Sequence, residues 1–169
     1  MWIINPDLLA AHIHESENLE LISANLEAVR RIETWLDASI RTYRTVGVET
    51  VLSTGKYRRL VVEAKKLGFE TRLIYVLLSS PDLNVERVRL RVAKGGHAVP
   101  EEKIRERYHR SLDQLPWFLR QVDRAYLFDN SGSAPRKVGE KSGSRIVLEL
   151  NALPQFEVAA RKAIVGGLD

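Results

Sequence analysis

Between Ser16 and about Arg41 the apolar residues Leu19, Ile22, Leu26, Val29, Leu36 and Ile40 recur at helical spacing, which places them on one face of a long helix. The next apolar run, VGVETVL (Val46 to Leu52), reads as a buried strand. Ser53 is placed to cap a second helix with the stripe Tyr57, Leu60, Val61, Ala64 and Leu67, and Gly68 to end it. RLIYVLL (Arg72 to Leu78) is apolar without alternation, as in a parallel strand covered on both faces. Ser80 and Pro81 then open a helix that runs to Gly95 and Gly96. Another begins at Pro100 and continues to near Gln114, where Pro116 interrupts it. RAYLFDN (Arg124 to Asn130) and RIVLEL (Arg145 to Leu150) read as further strands, Ser131 to Ser144 as a Gly/Ser-rich loop, and Pro154 to Val165 as a closing helix. Strand and helix alternate throughout, so the expected class is α/β with a mostly parallel sheet, in one domain spanning residues 1–169.

Composition narrows the setting. A chain of 169 residues with 44% hydrophobic and 28% charged residues is long enough to bury its own core. The absence of Cys removes disulfides and thiolate metal sites and agrees with a reducing cytoplasm. The longest apolar runs fall far below the roughly 18 residues of a membrane span, and the N-terminus lacks a signal-peptide pattern, so a soluble cytoplasmic protein without a membrane partner is expected. The net charge is only +4, yet eight Lys and Arg residues fall between Arg87 and Arg110, and that local excess points to an anionic partner.

Chemistry in a parallel sheet gathers at the carboxyl ends of its strands. Those ends carry Asp7 after a short first strand and the turn Asn5-Pro6, then Glu49 with Thr50 and Ser53, then Ser79 and Ser80, then Asp129, Asn130 and Ser131. Carboxylates and hydroxyls on one rim suit a polar substrate or a hydrated Mg²⁺. Singly, the serines read better as caps, while Asp7 and Glu49 read equally well as site residues or as turn and strand-end residues. The pair His12 and His14 lies on different faces of a helix without a third ligand, so no metal site is assigned. In ERVRLRVAKGGHAVPEEKIRERYHRSL, Arg87 and Arg91 share one helix face and Arg107 and Arg110 share another, with Gly95-Gly96 and His97 between. Two arginine-bearing helices on a glycine hinge form a lid, at about residues 81–122, that could close over phosphates. Spaced charges more usually mean solvated helix faces.

The order INPDLLA, VETVLS, RVRLRVAKGGHAVPEEKIRERYHRSL and LFDNSGSAPRKV, from Ile4 to Val138, resembles the zeta-toxin-like predicted P-loop kinases. The resemblance implies transfer of the ATP γ-phosphoryl group to a hydroxyl, with nucleotide-sugars as acceptors of the toxin members, Mg²⁺ as cofactor and an antitoxin protein as a candidate partner. It implies Asp7 as the base that takes the hydroxyl proton and Glu49 as a holder of substrate or Mg²⁺. Arg91 and Arg107 would stabilise the phosphoryl group in flight, with Arg87, Lys94 and Arg110 in support and Asn130 and Ser131 near the adenine. Thr50, Ser53 and His97 complete the expected substrate site.

Such kinases carry G-x-x-x-x-G-K-[ST] after their first strand. This sequence has no such motif; VGEKSGS (Val138 to Ser144) lacks the order and reads as a loop. The expectation is a fold shortened at its N-terminus, missing that strand and loop, and inactive as it stands. Three readings remain open: a shortened kinase, a degenerate relative that binds a nucleotide, nucleotide-sugar or partner protein without catalysis, and a basic nucleic-acid module. Few aromatics lie among the arginines to stack bases, which counts against the last.

Overall fold

The structure, a computed structural model, describes residues 2–96 and 98–166. The chain folds into two compact units, Met1–Val51 with Lys66–Gly68, and Leu52–Lys65 with Phe69–Asp169.

In the first unit β1 (Trp2–Ile4) pairs in parallel with β2 (Val46–Val48). Between them run α1 (Pro6–Glu17) and α2 (Leu21–Arg41). Asn5 caps α1: its Oδ1 accepts from the N–H groups of Asp7 at 2.9 Å and Leu8 at 3.3 Å, and Pro6 fills the first turn, where no N–H is needed. The long helix read from Ser16 is therefore two helices, because Asn18 adopts the left-handed conformation (φ +52) that ends α1. Ala10 and Ile13 of α1 pack against Ala24 and Ala28 of α2, whose short side chains permit close approach. Arg31 bridges the helices, meeting Glu17 and Glu27 at 2.6 Å each.

The second unit holds α3 (Arg58–Lys66), most of which belongs to it, and a four-stranded sheet in the order β3-β4-β5-β6. The strands are β3 (Arg72–Leu77), β4 (Arg124–Asp129), β5 (Arg136–Ser142) and β6 (Arg145–Leu148). α4 (Pro81–Ala93) and α5 (Glu101–Gln121) join β3 to β4, and α6 (Pro154–Val165) follows β6. Leu115, Leu119, Leu127, Val138 and Phe156 are fully buried in this unit. Phe156 stands edge-on to Tyr75, with centroids 6.0 Å apart.

The α/β class holds, but the mostly parallel sheet does not. Of the four strand pairings described, β1 with β2 and β3 with β4 are parallel, whereas β4 with β5 and β5 with β6 are antiparallel. The segment read as a loop from Ser131 to Ser144 contributes β5, and Gly143-Ser144 forms a two-residue hairpin turn with Gly143 at φ +56. β3 is covered on one face only: Tyr75 and Leu77 are buried, while Ile74 and Val76 are 69% and 52% exposed. Ser53 lies upstream of α3 rather than at its cap, and Gly68 follows that helix as expected. α5 continues through Pro116, with Leu115, Phe118 and Leu119 buried around it; each such side chain contributes about 1.5–3 kcal/mol, against about 3 kcal/mol for an interior proline. No helix of the described residues is long and apolar enough to cross a membrane.

Candidate functional site

Arg87 and Arg91 on α4 and Lys94 at its C-cap follow one another at steps of four and three, which puts them on one side of the helix. With Leu90, Gly95 and Gly96 they line a cleft of about 530 Å³. The glycines between α4 and α5 form an ordered cap. The Gly95 N–H donates to the Val92 carbonyl at 2.9 Å and the Gly96 N–H to the Arg91 carbonyl at 3.0 Å, with Gly95 at φ +89, so the last carbonyls of α4 are satisfied by a Schellman turn. The helix pair is braced by ion pairs: Arg89 Nε donates to Glu101 at 2.9 Å and Arg105 meets Asp82 at 2.7 Å. Arg87 reaches from α4 to the loop after β4, donating to the carbonyls of Asn130 at 2.5 Å and Gly132 at 3.2 Å.

The four lid arginines named from the sequence thus have different surroundings. Arg87 and Arg91 face the cleft with Lys94. Arg107 and Arg110, on α5, are exposed and are not among its lining residues, and Arg110 pairs with Glu106 at 2.6 Å. His97 falls outside the described residues.

A second polar cluster lies at the carboxyl ends of β3 and β4. The Ser79 N–H donates to Ser131 Oγ at 2.8 Å, and Ser131 donates in turn to Asp129 Oδ1 through its hydroxyl at 2.5 Å and its N–H at 2.9 Å. Ser131 above all, with Arg136 at 3.5 Å in support, holds the Asp129 carboxyl below the usual carboxylate range against the opposing effect of burial. Ser80 caps α4 by accepting from the Leu83 N–H at 3.3 Å. Gln155 of α6 donates to the Ser79 carbonyl at 3.0 Å and to the Tyr108 hydroxyl at 3.2 Å, while its buried Oε1 has no partner. Sequence reasoning misses Arg136 and Gln155, and no local signal marks either one.

In the first unit Asn5 joins two of the expected site residues. Its Nδ2 donates to Glu49 Oε2 at 2.8 Å, while its Oδ1 caps the turn that contains Asp7. Asp7 follows the short strand β1 as expected and stands exposed in the first turn of α1, where a carboxylate is favoured by the helix dipole. Glu49 and Thr50 are exposed just beyond β2, and Ser53 is partly buried.

Guanidinium groups in an open cleft fit the phosphate oxygens of a nucleotide. No cluster of three or more His, Asp or Glu residues gathers among the described residues, and a Mg²⁺ held by one carboxylate and substrate phosphates needs none.

No protein-family profile matches the chain, and no solved structure matches it. The chain is similar to an uncharacterized protein of Haemophilus influenzae, with 27% identity over 106 residues, which is 63% of this chain and 74% of that protein.

Proposed function

We propose that the protein binds a phosphate-bearing small molecule through the α4 cleft, within a phosphotransferase lineage of zeta-toxin-like kind. The observation that carries this reading is the convergence of Arg87, Arg91 and Lys94 on one cleft, with Arg87 already held by the loop after β4. Phosphoryl transfer needs positioning and positive charge more than covalent help, and this arrangement supplies both to an anionic group. By the resemblance, the ligand is ATP or a nucleotide-sugar, and Asp7 accepts the proton of the attacked hydroxyl. An antitoxin partner and a cytoplasmic setting belong to the same reading.

Calorimetric titration with ATP, with and without Mg²⁺, tests the binding step. Arg91→Ala and Lys94→Ala are each expected to weaken ATP about tenfold, the lower range of a charge-assisted hydrogen bond. Unchanged affinity in both variants refutes the cleft as the binding site. Retention of DNA or RNA at about 150 mM salt, where exposed charges are largely screened, would favour the nucleic-acid reading instead.

A further inference from the structure

Of the cations in the cleft, Arg87 is fixed by two carbonyls of the loop after β4. Arg91 is exposed and reaches the cleft from the last full turn of α4, directly beneath the Gly95-Gly96 turn. A Cβ built on Gly96 would stand 2.6 Å from Arg91 Cγ, 2.9 Å from the Arg91 carbonyl oxygen and 3.3 Å from its carbonyl carbon. Approaches under 3.0 Å are essentially never made by a Cβ, so the bare backbone of residue 96 lies directly against the stem of the Arg91 side chain. The 3.0 Å bond from the Gly96 N–H to the Arg91 carbonyl fixes that approach.

We propose that Gly96 is a positioning residue for the Arg91 guanidinium: by closing on the Arg91 backbone and stem without a side chain of its own, it confines the Arg91 rotamers to those that face the cleft. The inference rests on the cleft as the phosphate site and goes beyond it by assigning the glycine turn a role in preorganisation. An exposed arginine loses several rotamers when it grips an anion, and a residue that removes those rotamers beforehand raises affinity without touching the ligand. Gly95 has a separate task. Its left-handed conformation makes the turn, and asparagine can take it over.

The test is nitrogen-15 NMR of the arginine side chains, with pyrophosphate as the probe. In the free protein the Arg91 Nε–H should be more ordered than that of Arg107, and pyrophosphate should shift the Arg91 signal. Gly96→Ala should weaken pyrophosphate by the same factor as Arg91→Ala, about tenfold. The double variant should bind no more weakly than Arg91→Ala alone, because Gly96 acts only through Arg91. Wild-type affinity in Gly96→Ala, or losses that multiply in the double variant, overturns the positioning role while leaving the cleft intact. Wild-type affinity in Arg91→Ala overturns the cleft reading itself. Should Gly96→Ala fail to fold, the relaxation comparison still decides: an Arg91 side chain as mobile as that of Arg107 refutes confinement.

Discussion

Tyr75 and Ser111 form a buried hydroxyl pair that ties β3 to α5, with the two oxygens 2.6 Å apart and the residues 6% and 8% exposed. Burial pushes the Tyr75 phenol up to about 12, although the hydrogen bond to Ser111 opposes the shift. Ser111→Ala leaves the phenol oxygen buried without its partner and is expected to cost about 1–3 kcal/mol. Tyr75→Phe is the milder change, about 1 kcal/mol, because a helical serine can turn its hydroxyl to the carbonyl four residues back. In the double variant Tyr75→Phe/Ser111→Ala both polar groups go and the ring stays against Phe156, so the combined cost should fall below the sum of the single costs by about 1 kcal/mol. The pair also gives a pH signature. The folded-state pKa lies above the unfolded value of about 10, so the unfolded chain loses its proton first, and stability present below pH 10 declines as the pH rises toward 12. Urea unfolding with a common m-value measures the costs, and the same titration at pH 9 and 11 measures the slope. Additive single costs, or an alkaline slope unchanged in Tyr75→Phe, would refute the reasoning.

Asp123 is expected to govern part of the acid limb. Burial raises its pKa, but the amide and hydroxyl of Thr71 and the Lys65 ammonium outweigh it and hold the carboxyl at about 2. Its contribution is present above the unfolded value near 4 and lost as the pH falls toward 2, and Asp123→Asn should flatten that decline in acid unfolding curves. Lys141 is buried with its ammonium on the Val122 carbonyl, and desolvation, then Lys65, lowers its pKa. With a depressed folded-state pKa the unfolded chain holds the proton longer, so stability should rise toward pH 10, and Lys141→Met should abolish that rise in thermal unfolding. Asn5→Ala should cost about 1 kcal/mol through the lost cap of α1, read by urea unfolding, whereas Asn5→Asp keeps the cap and loses the donor to Glu49.

Much of the fold is legible where a local rule acts alone. Ser80 with Pro81 opens α4, the apolar run Arg72 to Leu77 is β3, and Arg124 to Asp129 is β4, its parallel partner. The errors arise where small or polar residues carry the structure. The apolar stripe on α2 counts Ile22 and Leu26, which are 75% and 68% exposed, and omits Ala24 and Ala28, which are buried, because helix approach in this unit depends on short side chains rather than large ones. RKVGEKS reads as a loop because every residue in it except Val138 is charged, Gly or Ser. Only Val138, Gly139 and Lys141 are buried there, and a buried lysine is invisible to hydrophobic patterning. The Gly-Ser dipeptide at 143 and 144 is the local sign of that hairpin.

The candidate site divides in the same way. Spacing alone places Arg87, Arg91 and Lys94 on one face, since steps of four and three along a helix fix direction whatever the tertiary structure does. Spacing could not rank Arg107 and Arg110 below them, because they share a face of their own on α5, and only the packing of the two helices decides which face borders the cleft. The glycine pair read as a hinge forms a Schellman cap with both of its hydrogen bonds made, and those bonds have physical consequences. A hinge would contribute by moving, whereas a Schellman turn with both hydrogen bonds made contributes by holding still. On the proposed reading the cations of α4 gain their effect from being fixed beforehand: Arg87 by the loop carbonyls at 130 and 132, and Arg91 by the bare Gly96 backbone beside its stem. Lys94, at the cap itself, keeps a flexible stem and contributes charge more than direction. An anion bound there as proposed would meet donors already aimed, so discrimination between phosphate and carboxylate ligands should follow guanidinium geometry before it follows net charge.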